Sequence, residues 1–493
     1  MKRCDIVILN GQAVLPGIGP VRMDLGIRDG KIAAMSEKLD AQDGDEVIDA
    51  RNLHILPGAV DSHFHVGIYR PHEADARTES ASAVSGGVTT ILSYFRTGRN
   101  YLNKSGPYKE IFPELLALSD GNFWCDYGYH IAPMTASQLD EVDWLVEQGV
   151  ASFKFYMFYK GLNLSADSTH GKDYTMAENY DLGHLYELMA RVAESATARK
   201  QRISLSLHCE NPELIRVFME RVRKQGLTGL KAYSEARPPL TEGLSIEEAT
   251  VLANATFCPV NFLHLSSRVA IETAIAVRRR YPERDMILET TLHHLALNYA
   301  TAGDNHGKVN PPIRSQDDQD ALWRALRDGE VDTVVSDHAC CMEEMKAGDM
   351  WSAMPGFGGT SLLYPVLLSE GVRKRGLSLN RAVELASTNP ARKFGLHPRK
   401  GAIAIGSDAD LALFNLENMQ VVKPAGLHSA QPYTPFNGIE LAAGPVTTIL
   451  RGHVVFRNGE VLEAPQGRFI KRPVASQSSG EEFKASASGQ RGS

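Results

Sequence analysis

A short apolar run followed by an amphipathic stretch recurs through the middle of this chain, and that alternation confines the fold more tightly than any other feature. Strand candidates read as GAVDSHFH (58–65), VTTILSYF (88–95), WCDYGYHI (124–131), ASFKFYM (151–157), ISLSLHCE (203–210), VNFLHLS (260–266), MILETT (286–291) and VDTVVSDH (331–338). Between them lie SQLDEVDWLVEQG, LGHLYELMARVAESATARK, PELIRVFMERVRKQG and VAIETAIAVRRRY, whose apolar residues recur at helical spacing. Parallel strands joined by helices either open into a doubly wound sheet or close into a (β/α)8 barrel, and eight strand candidates favour the α/β TIM-like barrel. Both termini differ in texture. DIVILNG, MDLGIRDGKIAAMS and EVIDARNLHILPG at the start, and GSDADLALFNLENMQVV and VTTILRGHVVFRNGEVL near the end, are β-rich runs broken by turn residues. The expected organisation is therefore one small β-sandwich built from residues 1–56 and 401–470, a barrel over 57–400, and a flexible tail, rich in Ser, Gly and charge, over 471–493.

Composition narrows the function classes. With 493 residues, 43% hydrophobic and 23% charged, the chain can bury a sizeable core, and its net charge of −7 argues against a general nucleic-acid binder. The start, MKRCDIVILNGQAV, lacks the apolar core and small-residue cleavage site of a secretory signal. No apolar run reaches membrane-spanning length. The cysteines, Cys4, Cys125, Cys209, Cys258, Cys340 and Cys341, form no Cys-x-x-Cys pair, which suits reduced thiols in a cytoplasm. Adjacent Cys340 and Cys341 read as a reactive thiol pair or, on the plainer reading, as buried side chains.

Active sites of such barrels lie at the C-terminal ends of the strands. There stand His63 and His65 on the first strand, Lys154 on the fourth, His208 on the fifth, His264 on the sixth and Asp337 at the end of the eighth. Side chains two apart on a strand share a face, so His63 and His65 aim at one spot. Each of these polar groups interrupts an apolar run, where an unpaired charge is costly. Four imidazoles and a carboxylate exceed what one tetrahedral zinc with an open position needs, and they suit two divalent ions. An ammonium beside two cations would be repelled. Reaction of the neutral Lys154 amine with carbon dioxide removes the conflict, because the carbamate is anionic and offers one oxygen to each ion.

These residues, with PGAVDSHFH, GGVTT, FKFYM, HCEN, HLSS, NPPIR, SDHA and GSDADLALF, resemble the amidohydrolase superfamily, in particular its cyclic amidases: hydantoinase, dihydropyrimidinase, allantoinase and dihydroorotase. The resemblance spans nearly the whole chain. It implies a binuclear, zinc-type centre with His63, His65 and Asp337 on the more buried ion, His208 and His264 on the more exposed one, and carboxylated Lys154 bridging both. It further implies that a hydroxide shared by the ions attacks a cyclic amide carbonyl, that Asp337 carries the proton to the leaving nitrogen, and that Tyr159 donates to the oxyanion. Thr290 and Asn310 match positions whose backbones contact the ring, and the assembly implied is a homotetramer.

Which ring is opened is less constrained. Dihydroorotases carry an arginine two residues after the second histidine, where this chain has Gly67, so a carboxylate-bearing ring is disfavoured. CMEEMKAGDMW after Asp337 resembles allantoinases, whereas Tyr159 resembles hydantoinases and dihydropyrimidinases; AMPGFGG places Gly356 where hydantoinases tend to have asparagine. Phe64, Ile68, Tyr69, Tyr94, Phe95 and Phe155 near the strand ends suggest an apolar ring substituent or, on the plainer reading, core packing. Residues 164–181 read equally as a lid or a solvated insertion. The expected function is a metal-dependent hydrolase of a hydantoin- or dihydropyrimidine-type ring, with allantoinase as the alternative. A catalytically inactive dihydropyrimidinase-like scaffold is the reading from another class, and filled ligand positions oppose it. The expected partner is a small-molecule cyclic amide, with neither nucleic acid nor membrane.

Overall fold

The computed structural model describes residues 3–159, 180–462 and 464–473. Most of the segment 164–181 and residues 474–493 of the expected tail lie outside them.

Parallel strands β1 (Ala59–His65), β2 (Val88–Arg96), β3 (Asp126–Ala132), β4 (Ser152–Tyr156), β5 (Ser204–His208), β6 (Val260–Phe262), β7 (Met286–Thr291) and β8 (Thr333–Val335) pair in chain order. Helices cover the outer face, so these strands are buried on both sides and read as continuous apolar runs. The sheet closes through a change of partner. β8 pairs with β7, and His338–Ala339, a few residues further on, pair in parallel with Phe64 and His65 of β1. Asp61 on β1 holds the joint: its carboxylate accepts the Ser336 backbone N–H at 3.0 Å and the Ser336 hydroxyl at 2.5 Å. The barrel thus stands as the alternation predicted.

Local chemistry explains where the helices start. Asn211 caps Pro212–Lys224 and Ser267 caps Arg268–Arg280, each accepting an otherwise orphaned backbone N–H. The turn into β2 needs Gly86, because a Cβ there would meet the Ser361 backbone at 2.4 Å. SQLDEVDWLVEQG, read as one helix, is two, Ala136–Leu139 and Val142–Glu147. Glu141 between them turns its carboxylate to the N–H groups of Tyr108 and Lys109, at 2.7 and 2.9 Å, at the start of the helix Tyr108–Ser119. Strand six is also shorter than predicted, ending at Phe262 before His264.

The terminal segments interleave. One sheet orders Lys31–Ser36, Asp24–Arg28, Cys4–Leu9 and Gly44–Asp49. The other joins both chain ends, placing Leu411–Phe414 between His54–Pro57 and Thr447–Leu450. Their shared core includes Ile6, Leu25 and Ile55 from the start and Leu411, Leu413 and Ile449 from the end. Lys400 lies buried where this layer meets the foot of the barrel, with Asp126 and Asp410 at 2.6 Å and Asp408 at 3.1 Å. Arg472, within the segment expected to be tail, is buried and donates to the Tyr129 carbonyl at 2.5 Å.

Candidate metal centre

One chamber of about 230 Å³ opens at the C-terminal rim, and all six residues singled out as ligands line it: His63, His65, Lys154, His208, His264 and Asp337. On β1 the alternation of the strand turns His63 and His65 inward. Lys154 reaches in from β4, and His208 ends β5 beside Tyr156 in register. His264 and Asp337 sit just past their strands with φ of 35° and 49°. Left-handed backbone at such residues costs on the order of 1–3 kcal/mol, and strain of this kind collects at functional sites. Here it turns each side chain into the mouth.

Two groups of ligand atoms result. His63, His65 and Asp337 offer atoms within 4.8 Å of one another, with Asp337 Oδ1 at 3.0 Å from His63 Nε2 and 3.2 Å from His65 Nε2. His208 Nδ1 and His264 Nε2 face each other at 2.9 Å. The Lys154 Nζ lies 4.3 Å from the Tyr94 ring centroid and 4.8 Å from that of Tyr156.

Burial sets the protonation states. It pushes His65 and His208 down to about 4 and holds His264 well below its ordinary value, so these rings are neutral and able to ligate. It also depresses His63, but the Asp337 and Glu289 carboxylates outweigh it and leave that ring above its ordinary value. Asp337 is held well below the carboxylate range because His63 and its hydrogen bonds overcome burial. Burial brings Lys154 down to about 7. A neutral amine is thus accessible near neutral pH.

Each of three imidazoles has its outward nitrogen tied by a residue to which the sequence assigned no role. Glu289 Oε1 lies 2.8 Å from His63 Nδ1, the Tyr101 hydroxyl 2.9 Å from His65 Nδ1, and Glu210 Oε2 2.8 Å from His208 Nε2. Glu210 is in turn gripped by Arg237 through two nitrogens, at 2.9 and 2.5 Å. Such outer partners fix which nitrogen faces a metal. Rings with one nitrogen tied outward and the other toward the chamber fit the donor set of divalent ions. Only the spacing of Glu210, two residues after His208, offered a signal.

Tyr159, on the turn Met157–Tyr159 after β4, lines the chamber, as does Asn310, whose side-chain oxygen accepts from the Tyr233 hydroxyl at 2.6 Å. Thr290 does not line it; its hydroxyl donates to the Leu265 carbonyl at 2.8 Å. Of the apolar residues expected nearby, Ile68 and Tyr69 line the chamber, whereas Phe64, Tyr94, Phe95 and Phe155 are packed in the core. Sequence reasoning missed Arg96, which ends β2 and forms part of the chamber wall. His294 and His338 are held elsewhere, by Thr291 and by Glu79. Cys340 and Cys341 are buried and burial raises both thiols, which makes them inert.

Comparison with known proteins gives a consistent picture. The model of the amidohydrolase family matches residues 54–455. A D-hydantoinase of Ralstonia pickettii is 30% identical over 482 residues, covering 95% of this chain and 99% of that protein. An allantoinase of Deinococcus radiodurans is 31% identical over 475 residues, 94% of this chain and 98% of the other. The structure of an L-hydantoinase (dihydropyrimidinase) from Arthrobacter aurescens superposes with a TM-score of 0.83 at 28% identity, covering 95% of this chain and 100% of that one.

Proposed function

The chain belongs to the amidohydrolase family, and from that premise we propose that it is a metal-dependent cyclic amidase that hydrolyses the ring of a hydantoin- or dihydropyrimidine-type substrate. The observation that carries this reading is the convergence of four imidazoles, Lys154 and Asp337 on one chamber. His63, His65 and Asp337 would hold one ion, His208 and His264 a second, and Lys154, carboxylated by carbon dioxide, would bridge them. Zinc suits the nitrogen-rich donor set. When bound, the ions supply Lewis acidity that acidifies water and polarises the amide carbonyl.

The protein's own groups do the rest. Asp337, ionised and hydrogen-bonded to His63 and His65, would take a proton from the attacking water and deliver it to the leaving nitrogen. Tyr159, which lines the chamber, would donate to the developing oxyanion. Asn310, fixed by Tyr233, would meet the ring edge, and Thr290, behind the wall, would act through its backbone. The exposed apolar residues Leu240, Leu244 and Val251 share one face of the helix Pro239–Thr256, which supports assembly into a homo-oligomer, a tetramer by resemblance. Six unpaired cysteines suit the reducing cytoplasm.

Allantoin remains the second substrate, favoured by the similarity to allantoinases. The deciding experiment assays the zinc-loaded protein on hydantoin, 5-phenylhydantoin, dihydrouracil, allantoin and dihydroorotate, with metal content measured in parallel. Opening of hydantoin or dihydrouracil with two ions per chain is expected. Opening of allantoin alone would reverse the order of the two readings, and a metal-replete preparation without bound ions would return the chain to the scaffold class.

A further inference from the structure

Two further lysines are buried near the rim and belong to no ligand set. Lys308 and Lys346 are shielded from solvent, and among the described residues neither forms an ion pair. Burial brings Lys308 down to about 7, with Lys346, Arg237 and Arg223 pushing the same way and Asp349 opposing. It brings Lys346 down to about 8 against Cys341 and Asp304. A cation without a counter-ion is costly to bury.

Both side chains serve main-chain carbonyls instead. Lys308 Nζ donates to the carbonyls of Ala353 and Trp351 at 2.5 and 3.3 Å, and Lys346 Nζ to those of Met354 and Lys308 at 2.9 and 3.0 Å. The Lys308 carbonyl also accepts the Gly356 N–H at 2.9 Å, and the Pro355 carbonyl accepts the Tyr69 hydroxyl at 2.7 Å. Residues 351–356 have no strand or helix to pair their carbonyls, so side-chain donors do it, and an ammonium brings three.

The segment so held forms part of the site. Met354, Pro355 and Gly356 line the chamber, and so do Val309 and Asn310, which follow Lys308. Lys308 Nζ lies 4.8 Å from the ring centroid of Tyr233, whose hydroxyl donates to Asn310. Slack is small: Gly356 has φ of 111°, and a Cβ there would meet that of Ala339 at 3.2 Å.

We propose that Lys308 and Lys346 are positioning residues, a clasp that joins the chamber wall at residues 309–310 to the wall at residues 354–356 and fixes the gap into which the substrate ring binds. This rests on the cyclic amidase reading above. Neither lysine lines the chamber, so the clasp acts on binding through the walls and leaves the ligand cluster as it is.

The test removes each ammonium while keeping the length of its stem. Lys308→Met and Lys346→Met are compared with wild type as zinc-loaded proteins, on whichever of hydantoin, dihydrouracil and allantoin the wild type opens fastest. KM should rise about 10-fold or more, with kcat within about 3-fold and the metal bound per chain unchanged. Lys346→Arg keeps a charged donor and should recover part of the loss. A variant that merely loosens the fold would lower the active fraction, and so kcat, at constant KM. That result, or an unchanged KM in Lys346→Met, overturns the clasp. Glu343, Glu344 and Ala347 beside Lys346 are exposed, so this variant decides even where Lys308→Met fails to fold. If wild type opens no cyclic amide, the amidase reading falls by itself. The clasp is then read from amide hydrogen exchange over residues 351–358, which Lys346→Met should quicken about 10-fold and which an idle lysine would leave as it was.

Discussion

Two lysines, each buried to about 1% exposure, mark opposite ends of the barrel and behave in opposite ways. Lys400 at the foot is surrounded by Asp126, Asp408 and Asp410, whose charges outweigh burial and lift its ammonium above the ordinary value. Lys154 at the mouth points at tyrosine rings and neutral imidazoles, and burial brings it down to about 7. The residue type and the depth are the same. What differs is whether the fold compensates the charge, and chemistry becomes available where it does not.

Replacing each lysine should separate the two roles. Lys154→Met should lower kcat/KM by at least about 10³-fold, as expected when an electrostatic element of a hydrolytic site is lost, and should reduce the metal bound per chain while the protein stays folded. Near wild-type turnover would show that the mouth does not need this side chain. Lys400→Met removes a buried cation from Asp126, Asp408 and Asp410, of which Asp126 retains Arg451 and Asp408 retains Arg399 and Lys31, and should destabilise by roughly 3–5 kcal/mol in denaturant melts. Turnover by the folded fraction should be unchanged.

The comparison sharpens with pH in the metal-free protein. Below about 7 Lys154 is charged in both folded and unfolded chains, and the full cost of burying its ammonium is present. As pH rises from about 7 toward the ordinary value of 10.5, the unfolded chain holds a proton that the folded one has released, so this cost shrinks and stability rises. Wild type should therefore gain on the order of 4–5 kcal/mol relative to Lys154→Met across that window. Parallel melting profiles would refute the shift. Lys400 has the opposite sign: its contribution is fully present below its unfolded value and is lost progressively as pH rises from there through its raised folded one.

The smallest effect concerns the partner behind His63. Glu289→Gln keeps the shape but removes the carboxylate 2.8 Å from Nδ1, and zinc affinity should fall about 10-fold to 100-fold in competition with a chelator. An unchanged affinity would mean that Glu289 serves only to pack the strand.

These regions were unequally legible in the sequence. The barrel and its rim could be read because a strand shows its facing residues at fixed spacing, as His63 and His65 do, and because a polar residue inside an apolar run is conspicuous, as Lys154 is. His264 and Asp337 were found as residues, yet their left-handed backbone was not, since it follows from how neighbouring strands end. Tyr101 and Arg96 escaped because they sit at or beyond the end of a strand, where direction is set by a turn rather than by periodicity. Of the aspartates around Lys400, Asp408 and Asp410 lie close by in the GSDADLALF run, but Asp126 comes from a distant strand and no local pattern announces it.

The partner change in the eighth strand has a consequence for when the site comes into being. Asp337 occupies the short gap between the piece that pairs with β7 and the piece that pairs with β1, so it meets the imidazoles only after the first and last strands have found each other. A chain arrested with seven strands in place would present five of the six would-be ligands and lack the carboxylate. On the proposed reading, the latch that shuts the ring also brings in the carboxylate, and ion uptake would serve as a gauge of completed closure.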